Sequence, residues 1–221
     1  AGTAVGAVKD QDIDVKKIKY PYVIAVLIVF LLLSVWQFSA NMMYRKGVIL
    51  ESQGNIYEAT LVYDKANSFY PINSMGYYFA SRNYLQLAKE NNNPDFLDNA
   101  IDCAQKSVKL SPVDGKLHNN LGKIYWQMGN LDNAEYHLML AVKYAAYRLG
   151  MFLDTGWFYF QQERMEDAKL ILLKGLKLEE AAITSANSEE DQEMIKAQLL
   201  QMHLILGQIY FNEDEPELSD Y

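Results

Sequence analysis

The hydrophobic pattern changes character once along the chain. From Tyr20 to Tyr44 the sequence reads YPYVIAVLIVFLLLSVWQFSANMMY, with no charge between Lys19 and Arg45. About 20 apolar residues cross a bilayer core as a helix, and lipid forces the backbone to satisfy its hydrogen bonds internally. Tyr20 and Tyr22 stand at one end of the apolar centre and Trp36 at the other, where aromatic rings favour the two membrane interfaces. The run predicts a transmembrane helix over 20–39. A buried core helix and a cleavable signal peptide are the competing readings. Against the second, 19 residues precede the run and Phe38 stands where a cleavage site wants a small residue.

Beyond Arg45 the apolar positions recur at three and four spacing. Leu117, Leu121, Ile124 and Tyr125 are followed by Leu131, Ala134, Leu138 and Ala141, the pattern of two amphipathic helices. MGNLDNA at 128–134 separates them. Gly129 suits a left-handed helix end, and Asn130 suits the cap of the next helix. The segment LGKIY at 121–125 returns as LGQIY at 206–210. Laid against itself, the chain repeats with a period of 34, pairing Gly122 with Gly156, Tyr125 with Tyr159, Ala134 with Ala168 and Ala141 with Gly175. Gly47, Gly54, Ala59, Tyr63, Ala66 and Pro71 carry the same skeleton earlier, as do Ser81, Tyr84, Ala100, Ala104 and Pro112. Gly122 and Ala134 are small where two helices of a hairpin must touch, and Pro71 and Pro112 end helices.

These residues resemble the tetratricopeptide repeat, in which Leu-Gly, Tyr, Ala, a bulky residue, Ala and often Pro recur. The resemblance covers residues 40–211. Departures are Lys46 before Gly47, Leu50 where Tyr is usual, and Gly175 for Ala with no closing Pro. It implies an all-α fold: a transmembrane helix, then a right-handed solenoid of about four hairpins and a final capping helix, stabilised by stacking.

The expected organisation is a polar N-terminal tail over 1–19, the span over 20–39, and repeats over 40–73, 74–114, 115–148 and 149–182. The second repeat has a loop insertion at 90–96. A linker over 183–188, a capping helix over 189–211 and an acidic tail over 212–221 complete it. No Gly or Pro separates Trp36 from Gly47, so one long helix over roughly 20–53 is expected to enter the solenoid.

Charge then sets orientation and excludes one class of partner. Lys9, Lys16, Lys17 and Lys19 precede the span, whereas Arg45 and Lys46 follow it with nothing basic until Lys65. Cytoplasmic flanks are enriched in Lys and Arg, so the N-terminus is expected inside and the solenoid extracytoplasmic. The net charge of −8 argues against nucleic acid. Residue 1 is Ala, which suggests a processed or excerpted chain.

Catalytic, cofactor and metal signatures are not found in the sequence. His118 and His203 hold the same repeat position, three residues before Leu-Gly, and are expected to pack in core or groove. His137 is expected at the surface. Cys103 is unpaired in the sequence and is expected to be a buried small apolar residue.

What remains is surface. In the resembled family, ligands usually lie in the concave groove of the first helices. Repeat alignment carries that role to Tyr44, Tyr78, Arg82, Asn119, Lys123, Trp126, Trp157, Phe160 and Phe211. The resemblance implies a membrane-anchored scaffold that binds a protein or peptide, similar to bacterial envelope proteins that join an anchor to such repeats. Oligomeric state stays open. The layout MMYRKG then YDKANSFYP also resembles the C-terminal tail of multipass glycan ligases of the O-antigen ligase type, in which case catalysis resides elsewhere in a longer chain.

Overall fold

The computed structural model describes residues 15–214. Most of the two expected tails, residues 1–14 and 215–221, lies outside the described residues, while Val15 onward and the residues up to Asp214 are helical.

Among the described residues the elements are α1 (Val15–Ser52), α2 (Ile56–Phe69), α3 (Ser74–Asn91), α4 (Pro94–Leu110), α5 (Gly115–Gln127), α6 (Leu131–Tyr144), α7 (Leu149–Gln161), α8 (Met165–Leu176), α9 (Glu179–Ser185) and α10 (Glu189–Asp214). Successive helices pair as hairpins α1–α2, α3–α4, α5–α6 and α7–α8. Each hairpin leans on the next through α2–α3, α4–α5 and α6–α7, and α10 closes the array against α7 and α8. The long helix expected across the membrane and into the solenoid is present as α1.

Small residues permit these pairings. A Cβ on Gly122 would lie 2.9 Å from Leu138 Cγ and 3.1 Å from the Ala134 carbonyl oxygen; one on Gly156 would lie 2.5 Å from Leu172 Cδ2. Gly207, the last member of that series, has nothing within 4 Å. Among the described residues no second helix pairs with α10 there, so Gly207 keeps its place in the sequence without its packing role, while Leu206 beside it is buried in the core.

The turns inside the four hairpins share one device. Gly54, Asn92, Gly129 and Glu163 all have positive φ, at 80°, 47°, 74° and 58°. That left-handed residue reverses the chain between paired helices. Asn130 then caps α6 by accepting from the Asn133 amide, as its position predicts, and Ser188 Oγ accepts from the Asp191 amide at the start of α10.

Two stretches differ from expectation. The excess residues of the second repeat do not form a loop over 90–96. Asn92 and Asn93 alone separate α3 from α4, because Asn93 caps α4 with Pro94 at its first position; the extra length extends both helices instead. The 183–188 linker is partly helical, since α9 runs to Ser185.

Most of the core lies between the third and fourth hairpins and α10, where Leu138, Phe158, Leu172, Met202 and Ile209 are fully buried. Burying such side chains contributes roughly 1.5–3 kcal/mol each. A second core, with Ala40, Tyr44, Tyr63 and Ala66, fuses the C-terminal part of α1 to the first two hairpins.

Candidate functional site

The first helices of the four hairpins carry eight of the nine groove positions and α10 carries Phe211; the structure divides them by what they touch. Tyr44 is buried; its hydroxyl donates to Asn67 Oδ1 at 3.1 Å and its ring stacks near Tyr63. Burial pushes its phenol up to about 12. Trp126 is half-buried and meets Phe158 edge-on at 5.4 Å within the main core. Phe160 packs against that same core. These three aromatics serve the interior more than the groove.

The polar positions are tied up in pairs between neighbouring repeats. Arg82 on α3 bonds Glu51 Oε1 at the end of α1, at 2.5 Å. The other oxygen of Glu51 accepts from the Tyr63 hydroxyl at 3.0 Å. On α5, Asn119 Nδ2 and Lys123 Nζ both donate to Asp154 Oδ2 of α7, at 2.6 and 3.1 Å. Asn119 and Lys123 thus converge on a carboxylate of the chain itself. Tyr78 is buried with the Lys116 ammonium 4.5 Å from its ring centroid. Lys116 has its pKa lowered by burial, with Arg148 and Arg82 adding repulsion.

The accessible remainder gathers between α7 and α10. Trp157 is 40% exposed and stacks on Phe160 with centroids 5.5 Å apart. With Leu153, Asp154, Gln201, Leu204 and Gln208 it lines a cleft of about 400 Å³. Phe211, on the last turns of α10, is 63% exposed and does not line it.

Towards the N-terminal end of α1, Tyr20 and Tyr22 are exposed. Trp36, expected at a membrane interface, is half-buried on protein: its indole meets Tyr70 edge-on at 4.8 Å and donates to the Phe69 carbonyl. The hydrophobic stretch before it is bare, with Val23 through Val35 each about half exposed or more wherever a large apolar side chain stands.

Of the histidines, His118 is buried as expected, and the other two depart from expectation. His137 is not a surface residue. It is half-buried between Tyr125, stacked at 5.6 Å, and His118, whose Nδ1 lies 2.9 Å from its own Nδ1. His118 Nε2 faces the Pro112 carbonyl oxygen at 3.0 Å. A carbonyl only accepts, so His118 carries its proton on Nε2 and its Nδ1 accepts from His137. Burial and then the neighbouring His118 pull His137 down to about 4. His203 is exposed on α10, on the side that no described helix covers. Cys103 is buried, and burial pushes its thiol up to about 12.

Sequence reasoning missed Asp154 and Glu51, the acids that satisfy the groove. The period contained the signal for the first: Asp154 lies 34 residues beyond Asn120 and thus opposite the Asn119–Lys123 turn on the adjacent first helix. His137 gave no such signal, because its partner sits on the other helix of the hairpin.

Residues 115–148 match the family profile described as tetratricopeptide repeat. No curated protein matches the chain. Among solved structures, MamA from residue 41 to its end, from Desulfovibrio magneticus RS-1, superposes with a TM-score of 0.56 at 19% identity, covering 64% of this chain and 76% of that one. A crystal structure of the MamA protein gives 0.55 at 15% identity, covering 82% of this chain and 94% of that one. The hairpin geometry, the matched third repeat and these neighbours together give the chain the fold of the tetratricopeptide-repeat superfamily.

Proposed function

We propose that this chain is a membrane-anchored scaffold that holds a protein or peptide partner in the cleft between α7 and α10. One observation carries the reading: Trp157 offers an accessible aromatic face beside Leu204 in a concave cleft, while Tyr44, Tyr78, Trp126 and Phe160 are absorbed in packing and the exposed Phe211 lies outside the cleft. Large rigid aromatics in such clefts carry binding energy out of proportion to their number. The polar rim is already neutralised by the Lys123–Asp154 pair, which favours an apolar or amphipathic segment over a charged one. The function is one of positioning, since a surface anchor raises local concentration.

The anchor is α1. A core helix of a soluble protein would bury its apolar residues; in the 18-residue window of highest hydropathy in α1, 6% is buried. The lysine bias around the span favours an extracytoplasmic solenoid, as in an envelope complex. The test is recovery of a defined partner from native membranes by the full chain and by Trp157→Ala/Leu204→Ala. Loss of the partner with unchanged helicity and melting supports the cleft. Retention of the partner, or loss together with unfolding, refutes it.

A further inference from the structure

The loops that join one hairpin to the next lie along a single edge of the solenoid. Ser107 Oγ and Ser111 Oγ, from the end of α4 and the loop after it, contact Ser74 at the start of α3, at 2.7 and 2.9 Å. One cavity is lined by Met75 from the α2–α3 side, Val113 from the α4–α5 loop, and Tyr147 and Arg148 from the α6–α7 loop. The three loops are therefore neighbours in order. The first of them is the loop on which Trp36 is docked, through Phe69 and Tyr70, and Trp36 ends the apolar run of α1.

This edge has an unusual surface. Its tips are Ile72, Val113 and Tyr147, which are 60%, 70% and 70% exposed. Between them stand exposed Lys109, Lys143 and Arg148. The acid of these three loops, Asp114, is turned inward to cap α5 at the Lys116 amide. The opposite edge, made by the turns within hairpins, carries Glu58, Asp95, Asp98, Asp132, Glu166 and Asp167. In a chain with net charge −8, the three loops thus form an apolar, basic fringe opposite an edge where acids outnumber Lys89 and Arg164.

We infer that this fringe, tipped by Ile72, Val113 and Tyr147, lies on the bilayer surface and takes anionic lipid. The inference rests on α1 being the membrane span. Because α1 is one helix and Trp36 fixes the first loop at the end of its apolar run, the loop edge is the edge held against the membrane. Apolar and aromatic tips suit the headgroup boundary, and Lys and Arg suit anionic headgroups, in whichever leaflet the solenoid meets, within a Debye length of the surface. Beyond Arg148 the edge becomes acidic, with Glu179 and Glu180, so the contact ends at the third loop.

The experiment uses the full chain with Cys103→Ser and single cysteines at Val113, Tyr147, Asn130 or Leu31, each labelled with an environment-sensitive fluorophore. The protein is placed in phosphatidylcholine–phosphatidylglycerol vesicles carrying a lipid quencher, positioned either just below the headgroup or at the chain end. The expected result is loss of emission at 113 and 147 with the shallow quencher, none at 130, and loss at 31 with the deep quencher. The losses at 113 and 147 should shrink in phosphatidylcholine alone. Quenching at 31 with none at 113 and 147 overturns the fringe while leaving the span intact. No quenching at 31 overturns the span and the fringe with it. Equal quenching without the anionic lipid overturns the lipid-charge part.

Discussion

The indole Nε1–H of Trp36 donates to the main-chain carbonyl of Phe69 at 2.8 Å, joining the end of the apolar run of α1 to the end of α2. The bond crosses 33 residues of chain and is reinforced by edge contacts with Phe69 and Tyr70. Trp36→Phe keeps an aromatic ring and removes the donor, a loss of about 1 kcal/mol. Trp36→Ala also removes the ring packing and is expected to cost about 3 kcal/mol. Thermal melting of the chain in nanodiscs should order the variants wild type, Phe, Ala. A change confined to membrane insertion, with melting untouched, would show that Trp36 serves lipid alone.

Glu163 occupies the left-handed turn position that glycine holds at Gly54 and Gly129. A side chain there costs about 1–2 kcal/mol of backbone strain. Glu163→Gly is therefore expected to raise stability by about 0.5–1 kcal/mol, net of the entropy glycine adds to the unfolded chain. Gly129→Ala should lower it by about 1 kcal/mol. Denaturant midpoints of the two variants should move in opposite directions.

The groove carboxylate Asp154 is a modest stabiliser. Its partner Lys123 is 42% exposed and Asp154 itself 30%, so the ion pair contributes below about 1 kcal/mol after solvent screening. A double-mutant cycle with Asp154→Ala and Lys123→Ala should give a coupling of about 0.5 kcal/mol that fades at high salt. A coupling of several kcal/mol would mean that the pair organises α5 against α7 rather than decorating it.

Acid should weaken the third hairpin through His137. Its folded pKa is depressed to about 4 from an ordinary 6.5, so the folded state resists the proton that the unfolded state accepts. The stability this neutral ring supplies is complete above about pH 6.5 and drains away as pH falls towards 4. Partial exposure of the ring limits the effect to about 1 kcal/mol. His137→Gln should show a flatter melting profile between pH 6.5 and 4 than the wild type. Parallel profiles would remove His137 from the account.

Cys103 should resist alkylation. It is buried, and desolvation followed by the Asp64 and Asp102 charges holds the thiol neutral, whereas the thiolate is the reactive form. Maleimide labelling of the native chain at neutral pH should be far slower than after denaturation.

The legibility of this sequence followed the demand of contact. Where two helices touch, as at Gly122 and Leu138, only small residues serve, and the chain repeats them at a fixed interval that can be read directly. The groove was less legible because facing out of a hairpin does not decide what lies outside it. Trp126 and Trp157 share a helical character in sequence, yet Trp126 meets Phe158 in the core and Trp157 opens on a cleft. Trp36 read as a headgroup anchor because nothing local reveals that the carbonyl of Phe69 arrives beside it. Long-range satisfaction of a single donor is a tertiary fact.

The unbroken α1 has a mechanical meaning. At 1.5 Å per residue its 38 residues make a rod about 57 Å long, with no joint between the apolar length and the first repeat. A span answers a thinner or thicker bilayer by tilting. Here the tilt would be delivered to the solenoid as a rotation, with the far end near α10 swinging through the widest arc. With α1 as the proposed span, membrane thickness would become an input to where the Trp157 cleft points.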